Sequence, residues 1–174
     1  MNAFKDWASS PRTSVAKDGS LAFESPVLKA ALEEWNRHAA GAIPKRSSFT
    51  AREVRSFVGH LVIFERAGDD GYRIRLMGTR VTAVIGEMQG KTLDEALPED
   101  TVRRWKIALS HVLSALRPVR IVSTVAFNSL DFLEAEILLA PLCDEHGEAT
   151  MVFTVATFRS GVAVKGALQN RQNA

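Results

Sequence analysis

From Leu28 onward the apolar residues Leu28, Leu32, Trp35 and Ala39 return at helical spacing, and Ser25 followed by Pro26 has the form of an N-cap with proline at the first helical position. The pattern predicts an amphipathic helix that starts at Pro26 and ends at Gly41, ahead of Pro44. A second, shorter helical pattern starts near Thr50. There Thr50 and Glu53 have the spacing of a capping box, and Val54, Phe57 and Val58 supply an apolar face.

From Gly59 the period changes to alternation. His60 to Arg66 and Tyr72 to Met77 flank the turn-forming AGDDG and predict an antiparallel hairpin. Simple pairing across that turn puts Val62, Phe64, Ile74 and Leu76 on a core face, and Leu61, Ile63, Glu65, Arg73, Arg75 and Met77 on the other. The second face is mixed, and its apolar members call for a cover, for which the helix from Pro26 is the candidate.

The next stretch, punctuated by Gly78, Gly86 and Gly90 and stopped by Pro98, suits short helical turns. Glu99 to Leu116 then predicts a long helix with Val102, Trp105, Leu109, Val112, Leu113 and Leu116 on one side, ended by Pro118. Three strands follow, Val119 to Phe127, Phe132 to Leu142 and Thr150 to Phe158, joined by the turn-like NSLD and CDEHGEA. Five antiparallel strands with a helical insertion after the second make an α+β domain with one sheet. The expected organisation is a flexible segment over 1–25, one domain with its leading helices over 26–159, and a flexible tail over 160–174.

Composition narrows the function classes. A length of 174 residues, 46% of them hydrophobic, fits one globular domain with a substantial core. The 22 basic and 20 acidic residues are interspersed, without a basic block interleaved with aromatics, so no nucleic acid partner is expected. Apolar runs such as Ile137 to Leu142 are far short of the roughly 20 residues that cross a bilayer, and no membrane association is expected. One cysteine, Cys143, allows no internal disulfide, and the opening residues do not read as a secretory signal; a cytoplasmic location is the expectation.

The element order, with Trp35 in the leading helix, Ile43, Pro44 and Arg46, the step Arg75-Leu76-Met77-Gly78-Thr79, and Gly90 with Leu93, resembles the PAS superfamily, and within it the bacterial stand-alone PAS proteins. The resemblance spans about Leu28 to Phe158. It implies a PAS fold with strand order 2-1-5-4-3, closed by helices around an interior that holds side chains or a ligand. It also implies a sensor that binds a small molecule or pairs with another protein. No output domain fits within the chain, so the expected recipient is a separate signalling protein.

The candidate pocket walls are Phe64, Ile74, Leu76, Met88, Trp105, Leu109 and Ile137, with Ser123, Thr154 and Thr157 as possible polar groups. Arg75, on a partly covered strand, is a candidate anchor for a carboxylate ligand or for the helix above it. Leu28, Leu32 and Trp35 form a stripe that docks either on the domain's own sheet or on a second copy, and a homodimer is the favoured expectation.

His111 sits on the helix where some haem-binding PAS proteins carry an axial ligand, but it points away from the apolar stripe and reads as a surface residue. A flavin photosensor of this type needs Asn-Cys-Arg where this chain has Arg80-Val81-Thr82, and Cys143 reads as a small apolar residue. The histidines and Cys143 show no metal-ligand spacing, so neither a metal nor a cofactor is assigned. Glu134 and Glu136 share one strand face and read as an outer surface with cross-strand cations, not as an acid–base pair. The inner-face residues assigned above include no His, Asp or Glu, so an isomerase- or thioesterase-like enzyme ranks below both a ligand sensor and a ligand-free interaction module.

Overall fold

The computed structural model describes residues 13–15, 20–125, 130 and 133–160. Its strands are β1 (Thr13–Val15), β2 (Leu61–Ala67), β3 (Gly71–Met77), β4 (Val119–Thr124), β5 (Leu133–Cys143) and β6 (Ala149–Ser160). The helices are α1 (Pro26–Ala39), α2 (Thr79–Ile85), α3 (Leu93–Ala96) and α4 (Glu99–Ala115). All strand pairs are antiparallel, in the order β1-β4-β5-β6-β2-β3. The five predicted strands, numbered among themselves, stand in the order 2-1-5-4-3, as the α+β PAS reading requires.

The sixth strand was not anticipated. Thr13–Val15, inside the segment expected to be flexible, pairs with β4 at the sheet edge. Phe23, just ahead of α1, is buried in the core. Most of the predicted flexible ends, and the end of the third predicted strand at Phe127 with all of the NSLD turn but Leu130, lie outside the described residues.

Both faces of the sheet are apolar, and alternation along the two central strands shows it. Ala135, Ile137 and Leu139 of β5 and Val152 and Ala156 of β6 belong to one cluster with α4 and the short helices. Leu138, Ala140 and Leu142 of β5 and Met151, Phe153 and Val155 of β6 belong to the other, with Leu28, Ala31 and Trp35 of α1. A sheet buried on both faces loses the clean hydrophobic-in, polar-out pattern of a half-exposed one. This is why Leu133–Cys143 reads as a nearly continuous apolar run.

The leading helix therefore covers its own sheet. Leu28 and Trp35 are buried there, Leu32 packs against the same cluster, and Trp35 Nε1 donates to the Pro141 carbonyl at 2.9 Å. The stripe thus takes the docked position on its own sheet, with Leu28 and Trp35 buried and Leu32 partly so.

Three local expectations change. The pattern after Thr50 forms no regular helix: Val54 N–H reaches Thr50 O, but Phe57 N–H then returns to Val54 O and His60 N–H to Phe57 O, a chain of tight turns that ends in a 3-10 turn at Val58–His60. Val54 and Phe57 are buried while Val58 is 43% exposed. Leu116 leaves the α4 stripe because it adopts the left-handed conformation at the helix end, with φ of 52°, and turns outward. His111 is half-buried, and burial, with the Arg117 charge nearby, holds its imidazole below the ordinary value.

Glu134 and Glu136 lie on the outer side of β5 with the cross-strand cations the alternation called for. Glu134 pairs with Arg159, whose Nε is 2.7 Å away, and Glu136 pairs with Arg120 at 2.7 Å. Glu136 also accepts the backbone N–H groups of Glu24 and Ser25 at 3.0 Å each, so this buried carboxylate pins the chain where it enters α1.

Two predictions follow from these contacts. A methyl group on Gly78 would meet the carbonyl oxygens of Val58 and Gly59 at 2.4 Å, where two backbone segments cross. Gly78→Ala should therefore destabilise by about 1–3 kcal/mol in urea unfolding. Burial pushes the Glu136 carboxyl up, but the two N–H donors and Arg120 outweigh it and hold it below 4.5. A depressed carboxylate contributes stability above its unfolded value and loses it as pH falls through the folded one. The melting temperature should decline below about pH 4.5. Glu136→Gln should flatten that decline and cost about 1–3 kcal/mol at neutral pH.

Candidate ligand cavity

A partly enclosed cavity of about 130 Å³ lies between the inner face of the sheet and α2, α3 and α4. Its floor is Val62 and Phe64 of β2, Ile121 of β4, Ala135 and Ile137 of β5, and Thr154 and Ala156 of β6. Val81 and Ile85 of α2 and Leu93 of α3 close one side, and Trp105 and Arg104 of α4 another. The Trp105 ring lies against Phe64, with centroids 5.2 Å apart.

The connection between α2 and α3 is tied to the sheet edge. Gly90 N–H donates to Ile74 O at 2.7 Å, Ile74 N–H to Lys91 O at 2.9 Å, and Met77 N–H to the Gln89 side chain at 2.9 Å. These bonds carry Met88 into the wall.

Of the seven wall residues expected, Phe64, Ile74, Met88, Trp105 and Ile137 line the cavity. Leu76 and Leu109 do not. Phe64 pairs with Ile74, but Ile63 pairs with Leu76 and Val62 with Met77, so β3 carries one extra residue, Arg75, in a bulge. That residue exchanges the two faces beyond it: Met77 enters the cavity wall and Leu76 packs with the α1 cluster. Leu109 is fully buried one turn beyond Trp105, inside filled core.

Arg75 at the bulge is exposed and pairs with Glu65 at 2.6 Å, away from the cavity, so the anchor role for a ligand within it has no geometric basis. Glu65 stands opposite Arg73 in the register, yet its ion pair is with Arg75. Cys143 is buried at the end of β5, beside Pro44 and outside the wall, and burial pushes its thiol up.

The polar groups in the wall are few. Ser123 and Thr154, two of the three hydroxyls anticipated, line it together with Thr101, Thr124 and Arg104, while Thr157 does not. Thr154 Oγ1 is buried and has no hydrogen-bond partner among the described residues. Arg104 stays close to its own helix, its Nε 3.3 Å from Asp100 O.

A family model described as "PAS domain" matches residues 23–157, most of the chain. The chain belongs to the PAS domain family. Among solved structures, this PAS domain is similar to a light-oxygen-voltage domain studied with a flavin analogue: 17% identity, 70% of this chain and 93% of that one covered, TM-score 0.44. It is also similar to the aureochrome1 light-oxygen-voltage domain, with 15% identity, 72% and 100% covered and a TM-score of 0.41. A sensory box histidine kinase/response regulator from Burkholderia thailandensis matches at 13% identity, with 70% and 94% covered and a TM-score of 0.43. No curated protein matches the sequence.

The buried hydroxyl of this PAS domain gives a direct test of the cavity's polarity. An unpaired buried hydroxyl costs roughly 1–3 kcal/mol of desolvation, so Thr154→Val should raise the stability of the ligand-free protein by about 1 kcal/mol. Thermal unfolding compared with the parent protein checks this.

Proposed function

We propose that this PAS domain is a sensor for a small apolar molecule that carries one hydrogen-bonding group, and that occupancy is passed on through contacts with a separate signalling protein. The carrying observation is the cavity of about 130 Å³, walled mainly by aliphatic and aromatic side chains, into which Thr154 brings a buried hydroxyl with no partner among the described residues. That volume is close to the roughly 150 Å³ of an apolar cavity that accepts benzene, so the ligand is about one ring or a short branched chain in size. Among the described residues the wall holds no carboxylate, imidazole or thiol, which supports binding over catalysis.

The same volume favours a second reading. Ligand sites usually enclose about 300–1,000 Å³, and a smaller cavity is also what a ligand-free interaction module with slightly loose packing would show. Leu28 and Trp35 are buried on their own sheet and Leu32 packs partly buried beside them, so neither reading draws on the stripe for a dimer.

Native mass spectrometry of the freshly purified protein, followed by a thermal-shift screen of single-ring and short-chain apolar compounds, separates the two. A copurified mass, or a rise in melting temperature that grows with compound concentration, is the outcome expected of a sensor. Ala156→Phe, which fills the cavity from its floor, should remove that response. A clean mass and no shift from any compound would leave the interaction module as the function.

A further inference from the structure

We propose that Glu34, His38 and Glu53 form a binding site for a divalent transition metal ion, on the α1 side of the sheet and separate from the cavity. Glu34 and His38 are one turn apart on α1, and Glu53 comes from the turn segment that follows Phe49. One ligand atom from each lies within 4.8 Å of the other two. His38 Nε2 is 3.0 Å from Glu34 Oε1 and 3.4 Å from Glu53 Oε1. A tetrahedral zinc ion with ligands at about 2.0–2.1 Å needs ligand atoms about 3.3 Å apart.

Burial and orientation supply an independent observation. Glu34 is only 5% exposed, yet its Oε1 has no hydrogen-bond partner among the described residues, and neither does His38 Nε2. The two atoms are 3.0 Å apart and still not aligned as a hydrogen bond, as expected of lone pairs aimed at a shared third point.

The remaining atoms of both carboxylates are held by neighbours, the arrangement that orients metal ligands. Thr50 donates its N–H at 2.8 Å and its hydroxyl at 2.7 Å to Glu53 Oε2, which leaves Oε1 as the oxygen turned towards His38. Arg37 takes Glu34 Oε2. Arg37 also approaches Glu53 Oε1 at 3.6 Å, a longer contact that a bound cation would replace. The Phe49 ring, 4.6 Å from that of His38, limits how the imidazole turns.

One nitrogen and two carboxylate oxygens suit a borderline ion such as Zn²⁺, with a water completing the shell. The ion would clamp α1 to the segment over 50–57, both of which pack on the outer face. The competing arrangement is His38 bridging the two carboxylates directly, with no metal.

Zinc chloride titrated into the full chain against a chromophoric chelator, with ¹H–¹⁵N long-range correlation of the histidine rings, tests the site. The expected result is one zinc per chain, with His38 the one of the four histidines whose ring nitrogen shifts to a metal-bound position. His38→Ala should abolish that uptake. Thr50→Ala, which keeps all three ligands, should weaken it by about tenfold. Absence of saturable one-to-one uptake by the unmodified protein overturns the proposal. So does uptake that His38→Ala leaves unchanged while another histidine shifts.

Discussion

The pairing of β5 with β6 is the contact on which the rest of the molecule hangs. It runs from Leu133 opposite Ser160 to Cys143 opposite Ala149, and β4 and β2 attach to its two outer edges. Because both strands are apolar on both sides, the pair cannot stand as a bare sheet: each face demands a cover. The chain supplies α1 from ahead of β2 on one side and α2 to α4 from between β3 and β4 on the other. The two covers differ in kind. Helix α1 docks tightly, with an indole hydrogen bond into β5, whereas α2 and α3 are short and leave space over the sheet.

The shape of that space depends on one irregularity. Without the bulge at Arg75, Leu76 would face inward and Met77 outward, and the edge of the cavity would be built differently. A bulge adds one residue, and with a side-chain period of two a single residue is enough to exchange the faces of everything beyond it. Arg75 itself stands at the surface, paired with Glu65.

A division of labour between the two faces emerges. The inner face holds a small apolar cavity with an unpaired hydroxyl, and the outer face holds polar fixings at both ends of α1. Glu136 secures the entry to α1 through the backbone of Glu24 and Ser25, and the group of Glu34, His38 and Glu53 joins its last turns to the following segment. Helix α1 is thus fastened at both ends by charged groups and in the middle by apolar burial. Changes at either end would be felt along the same face.

The sequence by itself determined five of the six strands and their order in the chain, the helices α1 and α4, the burial stripe of α1, and five of the seven residues it nominated for the cavity wall. The elements and their apolar faces follow from local periodicity, which registers which side of an element is apolar, whereas the strand order came with the resemblance to PAS proteins. It also revealed the Thr50–Glu53 capping bonds, because such a box is a four-residue matter. Only the tertiary structure decided the rest. The bulge at Arg75 depends on how β3 meets β2, the edge strand Thr13–Val15 on a partner more than a hundred residues away, and the gathering of Glu34, His38 and Glu53 on two segments folding together. A period records which way a residue faces. It carries no information about what stands opposite, because that is set by packing between segments distant in the chain.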